Sequence, residues 1–299
     1  MSLVKNVIKN ARNITQTQKI HSSCQVFAPV SLAYNQFSAP GIDRNSPLVI
    51  VHGLFGQKTN WNSVGKALNK KLEAPVFTVD VRNHGASPHT DTMTYTEMAE
   101  DLVVFIDKIR EETGKRRVNL LGHSMGGKIV MRMAIDSKWS DRIEKLIVED
   151  VSPKGYSRRH LEFRELIKTL RKVNLKRTRK EILVDLESSI PELSMRQFIL
   201  TNLQPSAENK DQMEWKVNIN TIDSHVEELL GYNLPAGSYR GPTLFLHGSK
   251  SGYVPDSHKP DIKCLFPQVR FDAIPDAGHW VHADKPQLFI ESVYKFLKP

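Results

Sequence analysis

Gly122-His123-Ser124-Met125-Gly126 follows the apolar run Val118 to Leu121 and leads directly into Gly127-Lys128-Ile129-Val130-Met131. The pattern is G-x-S-x-G between a short strand and a helix, a context that predicts a sharp turn with serine at its tip. A serine so placed has its hydroxyl thrust clear of the backbone, and its φ/ψ fall in a sparsely allowed region. A Cβ at position 122 or 126 would collide with the turn, so glycine stands at both. Ser124 is therefore the candidate nucleophile.

Upstream of this turn, Pro47-Leu48-Val49-Ile50-Val51 is a continuously apolar run of the kind found in strands covered on both faces. It ends in His52-Gly53-Leu54-Phe55-Gly56, which brings backbone N–H groups to the same sheet edge as the serine. The Leu54 and Met125 amides are the expected oxyanion hole. Val30, Leu32 and Tyr34 alternate as a half-buried strand does, and Val76 to Val79 forms another strand, ending in Asp80-Val81-Arg82-Asn83-His84. An Asp-Arg pair at a turn is read as structural, with Asp80 and Arg82 holding one another and His84 near the mouth of the site. Tyr95, Met98, Leu102, Phe105, Ile106 and Ile109 share one helical face, and Gly114 ends that helix.

Downstream, Ile143 to Val148 is a strand that ends in Glu149-Asp150. Strands and helices alternate up to this point, as in a doubly wound parallel sheet. Residues 151 to 237 break the alternation. They read as an inserted helical cap, with helices over Leu161 to Val173, Arg179 to Leu186 and Ser194 to Leu203. The rhythm resumes with Thr243 to Gly248, Val269 to Ile274 and a closing helix from Lys285 to Leu297. Between the last strand and that helix, Asp276-Ala277-Gly278-His279-Trp280-Val281-His282 places His279 to fold back toward the serine as its base, with His282 packed beneath the loop.

The chain has 299 residues, 42 Lys plus Arg against 33 Asp plus Glu, and only two cysteines, Cys24 and Cys264, in no metal or disulfide pattern. No apolar run approaches the roughly 18 residues needed to span a bilayer. The excess charge is concentrated in two places. Residues 1 to 40 hold Lys5, Lys9, Arg12 and Lys19 with no acid and apolar residues at helical spacing, the composition of a mitochondrial transit peptide or a disordered basic tail. The second block, Lys154 to Lys180, matches no nucleic-acid recognition motif and reads as a solvated helical face, with contact to an anionic membrane surface as the other option.

With G-H-S-M-G, H-G-L-F-G, D-V-R-N-H-G-A-S and A-G-H-W all present, residues 30 to 299 resemble the α/β-hydrolase superfamily. Within it, V-E-D-V-S-P and H-W-V-H-A-D-K-P are similar to a group of mitochondrial and small bacterial esterases. The resemblance implies a domain over 41 to 299 with an eight-stranded, mostly parallel sheet, helices on both faces, a Ser, acid, His triad, and no metal or organic cofactor. It also implies mitochondrial hydrolysis of carboxylic esters, with diacylglycerol-like lipids as substrates, and association with the 2-oxoglutarate dehydrogenase complex. Thioester or amide hydrolysis by the same machinery, and a non-catalytic scaffold, are the alternatives.

One departure concerns the acid. Many superfamily members carry it in the loop after the strand that here ends at His247-Gly248, where this chain has Ser251. Asp276 is only three residues from His279, and Asp256 reads as a helix cap. Asp150 ends the strand after the serine unit and keeps the chain order Ser, acid, His. Asp150 is the expected third member, and Ser251 is the neutral alternative.

Overall fold

The computed structural model describes residues 28–38, 45–156, 160–209 and 211–298. Its strands are β1 (Tyr34–Phe37), β2 (Leu48–Val51), β3 (Val76–Val79), β4 (Val118–His123), β5 (Ile143–Glu149), β6 (Leu203–Pro205), β7 (Met213–Trp215), β8 (Thr243–Gly248) and β9 (Val269–Ile274). Seven of them form the central sheet in the order β1-β3-β2-β4-β5-β8-β9, and β6 pairs with β7 in a hairpin of its own. Only β1 runs antiparallel to its neighbour within the central sheet.

The expected eight strands are thus seven among the described residues, because the number came from resemblance and not from an apolar run. The boundary at residue 40 also moves. Tyr34 to Phe37 pair with Val79 to Val76, and the Val30 N–H donates to Asp101 Oδ1 at 2.7 Å, so the fold starts well before residue 40. The import segment expected over residues 1 to 40 lies outside the described residues up to residue 27.

Side chains alternate across a strand, and β2 shows how this builds two cores. Val49 and Val51 face the cluster beneath α2 (Tyr95–Thr113) and α3 (Met125–Ile135), where Leu102, Ile106, Ile129 and Met133 sit. Leu48 and Ile50 face Leu68, Phe289 and Val293 on the other side. Those three residues belong to α1 (Asn62–Leu72) and α10 (Pro286–Leu297). Full burial of each such aliphatic side chain contributes about 1.5–3 kcal/mol. The Thr94 side chain caps α2, reciprocated by Glu97, and Gly114 ends it at φ 66°.

Between β5 and β8 the chain leaves the sheet and forms α4 (His160–Arg171), α5 (Arg179–Asp185), α6 (Leu193–Leu200), the β6-β7 hairpin and α7 (Ile219–Gly231). The first three helices were expected. The hairpin and α7 were not: three-residue strands carry little periodicity, whereas α7 does carry it, with Ile219, Ile222, Val226 and Leu229 buried along one face. The two ends of this insertion are laced together. Tyr156 N–H donates to Leu230 O at 2.6 Å, and Leu234 N–H donates to Pro153 O at 2.9 Å. The cap's basic residues are largely matched by acids, as a solvated face requires: Arg164 pairs with Glu227, Arg171 with Asp223 and Lys168 with Glu165. After the cap come α8 (Lys259–Leu265) and α9 (Val281–Asp284).

Candidate active site

Ser124 sits at the junction of β4 and α3 with φ 54° and ψ −116°, the strained turn expected of the motif. Its N–H donates to Glu149 O on β5 at 3.0 Å, and its carbonyl accepts the Lys128 N–H at 3.1 Å. The glycines are required by close approach. A Cβ on Gly122 would lie 2.3 Å from Gly126 O, and one on Gly126 would lie 2.3 Å from Val51 O.

Asp150 and His279 meet beside it. His279 Nδ1–H donates to Asp150 Oδ2 at 2.7 Å. The same oxygen accepts the Ser251 hydroxyl at 2.5 Å, and Asp150 Oδ1 accepts the Gly248 N–H at 3.1 Å. Asp150 takes φ 49°, directly after the end of β5, and is fully buried. Burial pushes its carboxyl up to about 6, while the Ser251 and Gly248 hydrogen bonds pull it down. The His279 ring stacks on Tyr253, with centroids 4.0 Å apart and planes at 20°. Asp276 is turned away in an exposed pair with Lys250 Nζ at 2.9 Å, and Asp256 pairs with Lys259 at 2.6 Å.

Leu54 and Met125 line the same small cavity of about 40 Å³ beside Ser124. Of the loop amides after Gly53, two are already engaged. Phe55 N–H donates to His84 Nε2 at 3.1 Å, and Gly56 N–H donates to Gly53 O at 2.9 Å. The Leu54 N–H is the amide of this stretch left to meet an oxyanion. At the start of α3, the Met125 N–H belongs to the first turn, whose donors have no intrahelical acceptor.

The loops beneath are held differently from expectation. Asp80 and Arg82 do not pair with one another. Asp80 pairs with Lys58 and accepts the Lys58 and Ala86 amides. Arg82 reaches α2, where its Nε donates to Asp101 Oδ2 at 2.6 Å. These partners lie on distant segments, and local spacing gave no sign of them. His84 is fully buried and not at the mouth. It donates from Nδ1 to Arg82 O at 3.1 Å and accepts Phe55 N–H on Nε2. Desolvation lowers its pKa to about 3, so the imidazole stays neutral, as a ring that must accept from an amide requires.

Two buried groups were not singled out from sequence. Lys128, one turn along α3 from Ser124, points Nζ at Tyr232 O (2.7 Å) and Lys154 O (3.0 Å), one carbonyl at each end of the cap. Desolvation lowers its pKa to about 7. Glu149 accepts both the His282 N–H (3.0 Å) and Nδ1–H (2.8 Å), and His123 Nε2–H donates to His279 O at 3.0 Å. The side chains of His123, Glu149 and His282 come within 4.8 Å of one another, a spacing compatible with a metal ion. Glu149 Oε1 and one ring nitrogen of each histidine are engaged in these bonds, which tie the group into a hydrogen-bonded layer, while Glu149 Oε2 is buried with no hydrogen-bond partner.

Above Ser124 lies a cavity of about 480 Å³. The cap contributes Phe163, Leu166, Met195, Phe198 and Ile199, while Leu54, Trp61, Tyr253 and Trp280 come from the sheet side. Its walls are mostly apolar, with His279 and Ser124 at the base, as suits a substrate with a hydrocarbon part.

A family profile described as the alpha/beta hydrolase fold matches residues 46–286. The chain belongs to the α/β-hydrolase family. This hydrolase is 39% identical over 283 residues to the zebrafish (Danio rerio) protein named sn-1-specific diacylglycerol lipase ABHD11, covering 93% of this chain and 86% of that protein. It is 34% identical to the Escherichia coli protein named Esterase YbfF, covering 85% of this chain and 93% of that one. A solved structure of a marine microorganism esterase superposes with a TM-score of 0.81 at 33% identity, covering 90% of this chain and all of that one. These relatives make the hydrolase a carboxylic ester hydrolase.

Proposed function

We propose that this chain cleaves lipid-like carboxylic esters, with diacylglycerols as the leading candidates, through an acyl-enzyme on Ser124. The observation that carries the reading is the bond between fully buried Asp150 and half-buried His279, with His279 and Ser124 lining one mostly apolar cavity. In this scheme His279 removes the Ser124 proton as the oxygen attacks the ester carbonyl. The Leu54 and Met125 amides hold the tetrahedral oxyanion, and Asp150 stabilises the imidazolium. His279 then protonates the departing alcohol, and a water repeats the cycle on the acyl-enzyme. The choice of diacylglycerol draws on the cavity's aromatic and aliphatic walls and on the name borne by the zebrafish relative. A fluorophosphonate probe should label wild type and not Ser124→Ala, and the purified enzyme should release fatty acid from diacylglycerol. Labelling of the alanine variant, or turnover of short water-soluble esters alone, would overturn the reading.

The acid-free tail extends the proposal to the mitochondrial matrix, with association with the 2-oxoglutarate dehydrogenase complex resting on resemblance. A reporter carrying residues 1 to 40 should enter mitochondria, and the complex should co-purify with the tagged protein from matrix extracts. A cytosolic reporter or an empty co-purification would remove the corresponding part.

A further inference from the structure

Beneath the pair formed by Asp150 and His279 lies a second acid-histidine pair offset by one residue on β5 and three on the loop. Glu149 precedes Asp150, and His282 follows His279. Glu149 is fully buried, and its Oε1 receives two bonds from one residue, the N–H and the Nδ1–H of His282. Trp61 covers the His282 ring, stacked at 3.9 Å and 22°. His123, which precedes Ser124, is also buried and donates from Nε2 to the carbonyl of His279 itself at 3.0 Å. Each of the three residues assigned to the reaction therefore has a buried partner within three positions in sequence. All three partners bear on the one loop that carries the base.

We infer that His123, Glu149 and His282 form a positioning layer that fixes His279 in the attitude required to serve both Ser124 and the leaving alcohol. The inference rests on the proposed role of His279 as base. That imidazole must accept a proton from one oxygen and deliver it to another without losing Asp150. Its ring is held by the bond to Asp150 and the stack on Tyr253. The loop before it is held by the bonds of Lys250 N–H to Ala277 O and Gly278 N–H to Asp284 Oδ2, so the layer acts on the His279 carbonyl and the residues after it. The His123 bond holds the His279 backbone at one end of the segment, and the Glu149 bonds hold it three residues later. A displacement of about 1 Å at a reacting group can cost on the order of a hundredfold in rate.

The chemistry of the layer fits a neutral arrangement. Burial pushes the Glu149 carboxyl up to about 8 and holds His123 and His282 down near 3. The charged or titratable groups facing Glu149 are His123 from β4, Asp150 at the end of β5, and His282 and Asp284 from α9. A neutral acid still offers Oε1 as an acceptor, so the geometry does not need a charge. Glutamine should therefore replace Glu149, and alanine should not.

The test uses Glu149→Gln, Glu149→Ala, His123→Phe and His279→Ala in the full chain, assayed on one ester for kcat and KM separately, with thermal melts as a check of folding. Glu149→Ala and His123→Phe should each lower kcat by about a hundredfold with KM within about twofold, because neither change alters the cap side of the cavity. Glu149→Gln, which keeps both the volume and the acceptor oxygen, should stay within about threefold of wild type, and the fall in kcat in the other two variants without a change in KM or in the melt separates positioning from loss of packing. If Glu149→Ala does not fold, His123→Phe decides alone. Full kcat in both Glu149→Ala and His123→Phe, while His279→Ala is inactive, would overturn the positioning layer and leave the base assignment standing. Full activity in His279→Ala would overturn both.

Discussion

Ser251 and His279 donate to the same oxygen of one carboxylate, Asp150 Oδ2, at 2.5 and 2.7 Å. In this chain the loop after β8 supplies a hydroxyl where the resemblance to the superfamily implies an acid, and Asp150 stands one strand away. Its carboxylate bridges the gap because Asp150 leaves β5 in a left-handed conformation and lies under the β8 loop. Asp150 and Ser251 were competing candidates from sequence, and they turn out to be hydrogen-bonded to each other.

Their contributions should differ in size. Asp150→Asn removes the charge opposite an imidazolium and is expected to lower kcat about a thousandfold or more, by analogy with other triads. Ser251→Ala removes one supporting bond and should cost about tenfold at most. Steady-state kinetics on folded variants provide the comparison, and the reverse order would make Ser251 the working partner.

The pH profile follows from the same carboxyl. Asp150 must be ionised to stabilise the imidazolium, and its value is raised to about 6. The ratio kcat/KM should therefore decline as pH falls through about 6, as a property of the Asp150 and His279 pair. The Ser251 hydrogen bond holds that value down, so Ser251→Ala should move the acid limb to higher pH. An unmoved limb would mean that a different group controls it.

Lys128 ties α3 to both ends of the cap, at Lys154 O and Tyr232 O. Lys128→Met keeps the aliphatic stem and leaves two carbonyls without their donor, at an expected cost of about 1–3 kcal/mol. Amide exchange should quicken at Tyr156 and Leu234, whose N–H groups join the two cap ends. Unaltered exchange at these amides would show that the lysine does not hold the two cap ends together.

Glu149 should make stability pH-dependent. Its carboxyl rises from 4.5 unfolded to about 8 folded. The folded state therefore holds the proton that the unfolded state releases between these values. Its stabilising contribution is complete below about 4.5 and is lost as pH climbs to about 8. Glu149→Gln does not titrate, so its Tm should gain on wild type as pH increases across that window. Parallel Tm curves would show that Glu149 ionises normally.

The residues themselves determined the strand-turn-helix at Ser124, because glycines at 122 and 126, an apolar run before and a helix after leave one local geometry open. They also placed the Leu54 loop, Asp150 and His279 on one edge, since parallel strands joined by helices end at the same side of a sheet. The depth of His84, the partners of Asp80 and Arg82, and the entry of β1 into the sheet were decided only by tertiary structure. So were the clamp made by Lys128 and the pairing of Glu149 with His282. These depend on which segments pack together after burial: Lys128 meets Tyr232 across 104 positions, and Glu149 meets His282 across 133. Hydrophobic periodicity reports which face of an element turns inward. It does not report which buried polar groups meet there, because hydrogen bonds are chosen only once the layers have closed.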